Sequence, residues 1–142
     1  MKKFRFRLQV VLDMREKELE ERQMEMARIV TALNTQQEKL QNIFQRQKEN
    51  SLMQETLAAA ENLDIFQLEE HRTFGIKLIG DAKNQERIIA NTKTILERKQ
   101  LEVKEAYQKV ETLKKLKEKQ EKEFYNCLLY TSDAADEARS VD

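Results

Sequence analysis

A seven-residue line of large apolar side chains runs through the first third of the chain: Leu12, Leu19, Met26, Leu33 and Leu40. A repeat of this period lays one stripe along a helix and obliges that helix to pair with another. The second line of the same seam holds Leu8, Arg15, Arg22, Ile29, Gln36 and Ile43. It is apolar at its ends and at Ile29, and polar elsewhere. Such a seam is wide enough for one partner helix and too thin for burial in a large globular core.

Composition agrees with long helices. The 142 residues include no Pro and 2 Gly, so the usual turn formers are nearly missing. Glu, Lys, Gln and Leu, all good helix formers, are abundant. Lys plus Arg balance Asp plus Glu at 26 each, so no net charge draws the whole chain to nucleic acid or to a membrane surface. No apolar run approaches the ~18 residues of a membrane span, and no signal peptide is legible. The single Cys excludes an internal disulfide. The default expectation is a cytoplasmic protein with no direct membrane insertion.

The opening MKKFRFRL alternates Lys2, Lys3, Arg5 and Arg7 with Phe4, Phe6 and Leu8. Three readings stand: a frayed basic helix start, a protein-docking end, or an arm for nucleic acid. The last is the weakest, because the rest of the chain has no basic face. The periodicity predicts a first helix over about 5–57, with Glu18 and Arg22 as an i,i+4 pair. The break falls at about 58–64, where Asp64 reads as an N-cap with Gln67 three residues on.

A second helix is predicted over about 65–126. Its seam steps through Leu68, Gly75, Ala82, Ile89, Leu96, Val103, Val110, Lys117 and Phe124, flanked by Leu78, Thr92, Lys99, Ala106 and Leu113. Gly75 and Ala82 permit close approach near the turn. Glu105–Lys109, Glu111–Lys115 and Glu118–Lys122 are expected to keep the outer face soluble. Two halves of similar length with separate seams predict an all-α fold, a long antiparallel two-helix coiled-coil hairpin over 1–126. One continuous helix dimerising in parallel is the competing arrangement.

Residues 127–142 read CLLYTSDAADEARSVD and leave the seam. The stretch resembles the translation of a transposase-type sequencing adapter, with Ala138 and Arg139 in the place of the variable barcode. It is set apart from fold reasoning and expected to be a disordered, non-native tail; a native disordered tail is the alternative.

No catalytic constellation is legible. His71 stands among Glu69, Glu70 and Arg72 and reads as a surface residue. No nucleophile has a recognisable helper, and no Gly-rich phosphate loop is present. Met24, Met26 and Met53 read as seam filling. The expectation is a protein that is no enzyme and needs no cofactor and no metal.

The stretch FRFRLQVVLDMREKELEE resembles the opening of the FliJ family of flagellar export proteins. Phe4, Phe6, Arg7, Leu8, Leu12, Arg15 and Glu16 carry the likeness, and LKKLKEKQEKEFYN, residues 113–126, is similar to a stretch of that family's second helix. The resemblance covers 1–126. The family continues past this point with a charged helical segment, so a longer natural protein is expected. What the resemblance implies is a non-enzymatic antiparallel coiled coil of the type III export apparatus. It would look like a rotary-ATPase stalk, seated in the hexameric export ATPase ring. It would contact the cytoplasmic domain of the export gate and handle export chaperones, with no nucleic acid among its partners. It would lie at the cytoplasmic face of the cell membrane, peripheral through that apparatus, in flagellum biogenesis, motility and chemotaxis.

Carried over by position, Phe4, Phe6, Arg7, Leu8 and Leu12 beside Leu113, Leu116 and Phe124 would form the ATPase-ring end. Ile43, Phe44, Phe74 and Leu78 would form the export-gate face. Each could equally be seam packing, Phe44 and Phe74 least so, because they lie off the main heptad line. A structural coiled-coil scaffold unrelated to export is the other function class. The hairpin can be tested against the parallel dimer directly. In a Cys127→Ser background, cysteines at positions 12 and 113 are expected to cross-link within one chain on a non-reducing gel. Product formed only between chains would replace the hairpin by the dimer.

Overall fold

The computed structural model describes residues 2–140, with side chains through Asp136. It holds two long helices, α1 (Gln9–Ala58) and α2 (Ile65–Ser140), packed against each other, and no strand among the described residues. The fold is an all-α hairpin. By contacts the chain divides into one unit of Met1–Glu25 with Gln100–Asp142 and another of Met26–Lys99.

In the Met26–Lys99 unit the turn is built around Asp64. Its Oδ1 accepts the Phe66 N–H at 3.0 Å and the Gln67 N–H at 3.3 Å, which satisfies two of the donors a helix start leaves open. The last turn of α1 closes with Ala59 N–H on the Glu55 carbonyl at 3.0 Å and Ala60 N–H on the Leu57 carbonyl at 3.4 Å. No described residue takes a positive φ, so the reversal is made without a glycine. Leu78, Ala82 and Ile89 are buried along α2, and Ile29, Leu33, Leu40 and Ile43 are half-buried along α1.

Polar side chains tie the two helices at fixed points. Gln85 Nε2 donates to the Gln36 carbonyl at 2.9 Å. Two heptads further along α1, Asn50 Nδ2 donates to the His71 carbonyl at 2.8 Å, two heptads back along α2. The helices are therefore antiparallel. Gln54 Nε2 reaches the same carbonyl at 3.1 Å, and Asn50 Oδ1 lies 3.0 Å from His71 Nδ1. His71 is thus a half-buried seam residue, not the surface residue its charged neighbours suggested. It falls three residues after Leu68 and four before Gly75, on the inward face. Thr92, buried at a seam position, satisfies its hydroxyl on the Ile88 carbonyl at 3.0 Å.

In the other unit, Phe6, Leu12 and Val110 form a buried cluster, with Phe4, Leu19, Leu113 and Leu116 packed on it. The Phe4 and Phe124 rings lie 5.6 Å apart, and Arg22 reaches Glu102 across the helix pair at 3.6 Å. These pairings also run antiparallel. Two expected boundaries move here. α1 begins at Gln9, not near residue 5, because residues 2–6 are non-helical and alternate their burial. Alternation turns Phe4 and Phe6 inward and Lys3, Arg5 and Arg7 outward, and the Phe6 carbonyl then accepts Gln9 N–H at 3.1 Å to start the helix.

α2 continues to Ser140 and does not end at Asn126. No Gly or Pro interrupts 127–140, and Ala134, Ala135 and Ala138 favour helix, so the ladder propagates at one hydrogen bond per residue. From Leu129 to Asp136 every side chain is exposed, so this stretch packs against nothing. Val141 and Asp142 of the expected disordered tail lie outside the described residues. The anticipated Glu18–Arg22 pair is also replaced: Arg15 takes Glu18 at 3.0 Å, and Arg22 takes Glu25 at 3.4 Å. Met24 and Met53, expected in the seam, are about half exposed. Met24 lies two residues from both Arg22 and Met26, on the far side of the helix, and Met53 lies one residue before Gln54.

The two glycines separate packing from propensity. A Cβ at Gly75 would meet Asn50 Nδ2 at 2.9 Å and Gln54 Nε2 at 3.3 Å, whereas one at Gly80 meets nothing within 4 Å. Gly80→Ala is expected to stabilise the fold by about 1 kcal/mol. Gly75→Ala gains the same propensity but must displace the Asn50 amide from its bonds to His71, at about 1–2 kcal/mol. Chemical denaturation should rank Gly80→Ala above wild type and Gly75→Ala at or below it.

Candidate functional site

The residues expected at the ATPase-ring end do come together, but mostly as core. Phe6 is 8% exposed and Leu12 3%, while Phe4, Leu113, Leu116 and Phe124 are half-buried. Phe6 is therefore corrected from docking residue to core residue. It sits on the inward side of the alternating segment, against Leu12 and Val110. Only Arg7 and Leu8 of the expected set face solvent, Leu8 at 37%. Around them are side chains that pattern reading passed over: Val10, Val11 and Met14 are exposed on the first turns of α1. Lys2, Lys3 and Arg5 are exposed in the segment that leads into the helix. This surface is basic and partly apolar.

The expected export-gate face is likewise sorted by burial. Phe44 and Phe74 are exposed at 38% and 41%, as their off-seam positions implied. Ile43 is half-buried, and Leu78 is 2% exposed. Leu78 is core because it stands three residues after Gly75 and four before Ala82, on the seam itself. Phe74 shares a shallow groove with Arg46, Met53 and His71. Its polar wall is the Asn50–His71 pair that fixes the register below it.

Sequence reasoning missed the most exposed apolar side chains of this unit. Phe66 is 85% exposed, Ile65 68% and Ile76 64%. Ile76 and Ile79 each lie one residue past a seam position, Gly75 and Leu78, which is ~100° around the helix and out of the interface. That offset was legible. The exposure of Phe66 was not, because a residue at the first turn of a helix could as well fold back over the connection.

No group of three His, Cys, Asp or Glu side chains able to hold a metal ion converges among the described residues. None of the described helices is long and apolar enough to cross a membrane. What the surface offers is exposed Phe, Ile and Leu side chains on a helical frame, and clustered exposed apolar side chains mark surfaces for a partner.

The family model described as "Flagellar FliJ protein" matches residues 4–129. It starts at the Phe4 that packs on Phe124 and ends at Leu129, one residue past the half-buried Leu128. No curated protein and no solved structure matches the chain. The match takes in the basic aromatic opening, both helices and the capped turn between them, and on that ground the chain belongs to the flagellar FliJ family, whose role lies in flagellar export.

Proposed function

We propose that the chain is a non-enzymatic component of the flagellar type III export apparatus, a stalk-like coiled coil linking the export ATPase ring to the cytoplasmic domain of the membrane export gate. It also handles export chaperones, and it works at the cytoplasmic face of the membrane through these partners. The observation that carries this reading is the family match across 4–129 on an antiparallel hairpin. Burial supports it in outline, since each unit leaves a different set of anchors uncovered. The Met1–Glu25 side offers Arg7 and Leu8 among basic residues, and the Met26–Lys99 unit offers Phe44 and Phe74. No observation favours a scaffold unrelated to export.

The buried and exposed phenylalanines should behave differently. Phe6→Ala removes a core side chain and is expected to cost about 3 kcal/mol of stability, read by thermal or urea unfolding. Any loss of binding would then follow loss of fold. Replacing Arg7 and Leu8 together with Ala should leave helicity unchanged and weaken binding to the export ATPase by about 2 kcal/mol. Replacing Phe44 and Phe74 with Ala should spare the ATPase and weaken the gate domain by a similar amount. Calorimetric titration of each variant against both purified partners checks the assignment; wild-type affinities throughout would reject it.

A further inference from the structure

The turn between α1 and α2 carries a surface that the export-gate face does not include. Leu63, Ile65 and Phe66 are exposed at 51%, 68% and 85%, and Phe66 is the most exposed large apolar side chain among the described residues. Its backbone N–H is held by Asp64 Oδ1 at 3.0 Å, so the ring projects from a capped helix start. The backbone there need not be ordered again when a partner covers the ring, and only the side chain's own rotamers are then fixed.

The sequence around these three residues is rich in carboxylates; the nearest cation along α2 is Arg72, which pairs with Glu69 at 4.0 Å. From Glu49 to His71 the sequence has six carboxylates and no Lys or Arg, in a chain whose charges otherwise balance. All six are exposed, Glu61 and Asp64 flanking Leu63 most closely. A surface of this sign is repelled by anionic lipid and by nucleic acid, and it is drawn to a basic counter-surface.

We infer that the turn is a docking tip for a protein surface in which an apolar pocket is rimmed by Lys and Arg. Phe66, with Ile65 and Leu63 beside it, fills the pocket, and the carboxylates meet the rim. The inference rests on the functional reading above and deepens it: on that reading the pocket belongs to the cytoplasmic domain of the export gate. The gate contact then extends from Phe74 to the turn, and its strength depends on salt.

The test titrates the full chain against the purified gate domain and, separately, the purified export ATPase. Phe66→Ala should weaken gate binding about tenfold or more. Glu61→Lys with Glu70→Lys should weaken it as well. Raising NaCl from about 0.05 to about 0.5 M should weaken the wild type more than the charge variant. Circular dichroism should show all variants folded, since neither Phe66 nor the two Glu side chains is buried; Met24→Ala, also exposed, serves as the neutral control. Wild-type gate binding that Phe66→Ala leaves unchanged overturns this inference alone. So does a loss confined to the ATPase, a Phe66-dependent self-association in sedimentation velocity, or a Phe66-dependent binding to phosphatidylglycerol or phosphatidylcholine vesicles. A wild-type chain that binds neither protein overturns the functional reading and this inference with it.

Discussion

A long helix with one apolar stripe and a polar remainder is not stable in water until a second helix covers that stripe. Everything else in this protein depends on that pairing. The stripe is thin, and several of its positions are Gln, Asn, His or Thr, so apolar burial alone would tolerate a slip along the seam. The polar residues remove the freedom. Asn50 and Gln54 both reach the His71 carbonyl, and Gln85 reaches the Gln36 carbonyl. Sliding one helix by a turn would break these bonds and leave buried amides unpaired, at about 1–3 kcal/mol each. Gly75 belongs to the same device, because only a residue without Cβ lets the Asn50 amide sit where it does.

Fixing the register also fixes what remains outside. In the Met26–Lys99 unit, Leu78 is committed to the seam, and Phe74, four residues earlier, is left facing solvent. In the other unit, the non-helical opening brings Phe4 and Phe6 down onto α2, and this leaves its cationic side chains outward. A two-helix fold has little interior to spare, so a large apolar residue that misses the seam is exposed. The surface therefore presents exposed apolar side chains, and such a surface suits the binding of a partner.

Much of this was legible before any coordinates. Heptad spacing located the seam of both helices, and Asp64 with Gln67 marked the start of the second. Pattern alone did worse where two periods compete. In MKKFRFRL the alternating period governs, because two Phe side chains reach the partner helix only from a non-helical segment; reading it as helix start misplaced Phe6. His71 was misread for a related reason. Its neighbours are charged, but it stands seven residues before the buried Leu78, and that step, not the neighbours, decides where it points. Of the residues expected on the gate face, Phe44 and Phe74 lie off the main heptad line, and their exposure follows from that. Leu78 was assigned both to the seam and to the gate face, and burial decides for the seam. Phe66 carried no signal in the heptad pattern, since it lies ahead of the first seam residue, Leu68.

The most direct test of the account is the amount of flagellar subunit protein exported into the medium by the source bacterium after clean removal of the gene for this chain. The account predicts that export falls severely and returns when the wild-type chain is supplied. It also predicts that subunits accumulate inside the cell, since synthesis is intact and transport is not. Normal export from the deletion strain would contradict it.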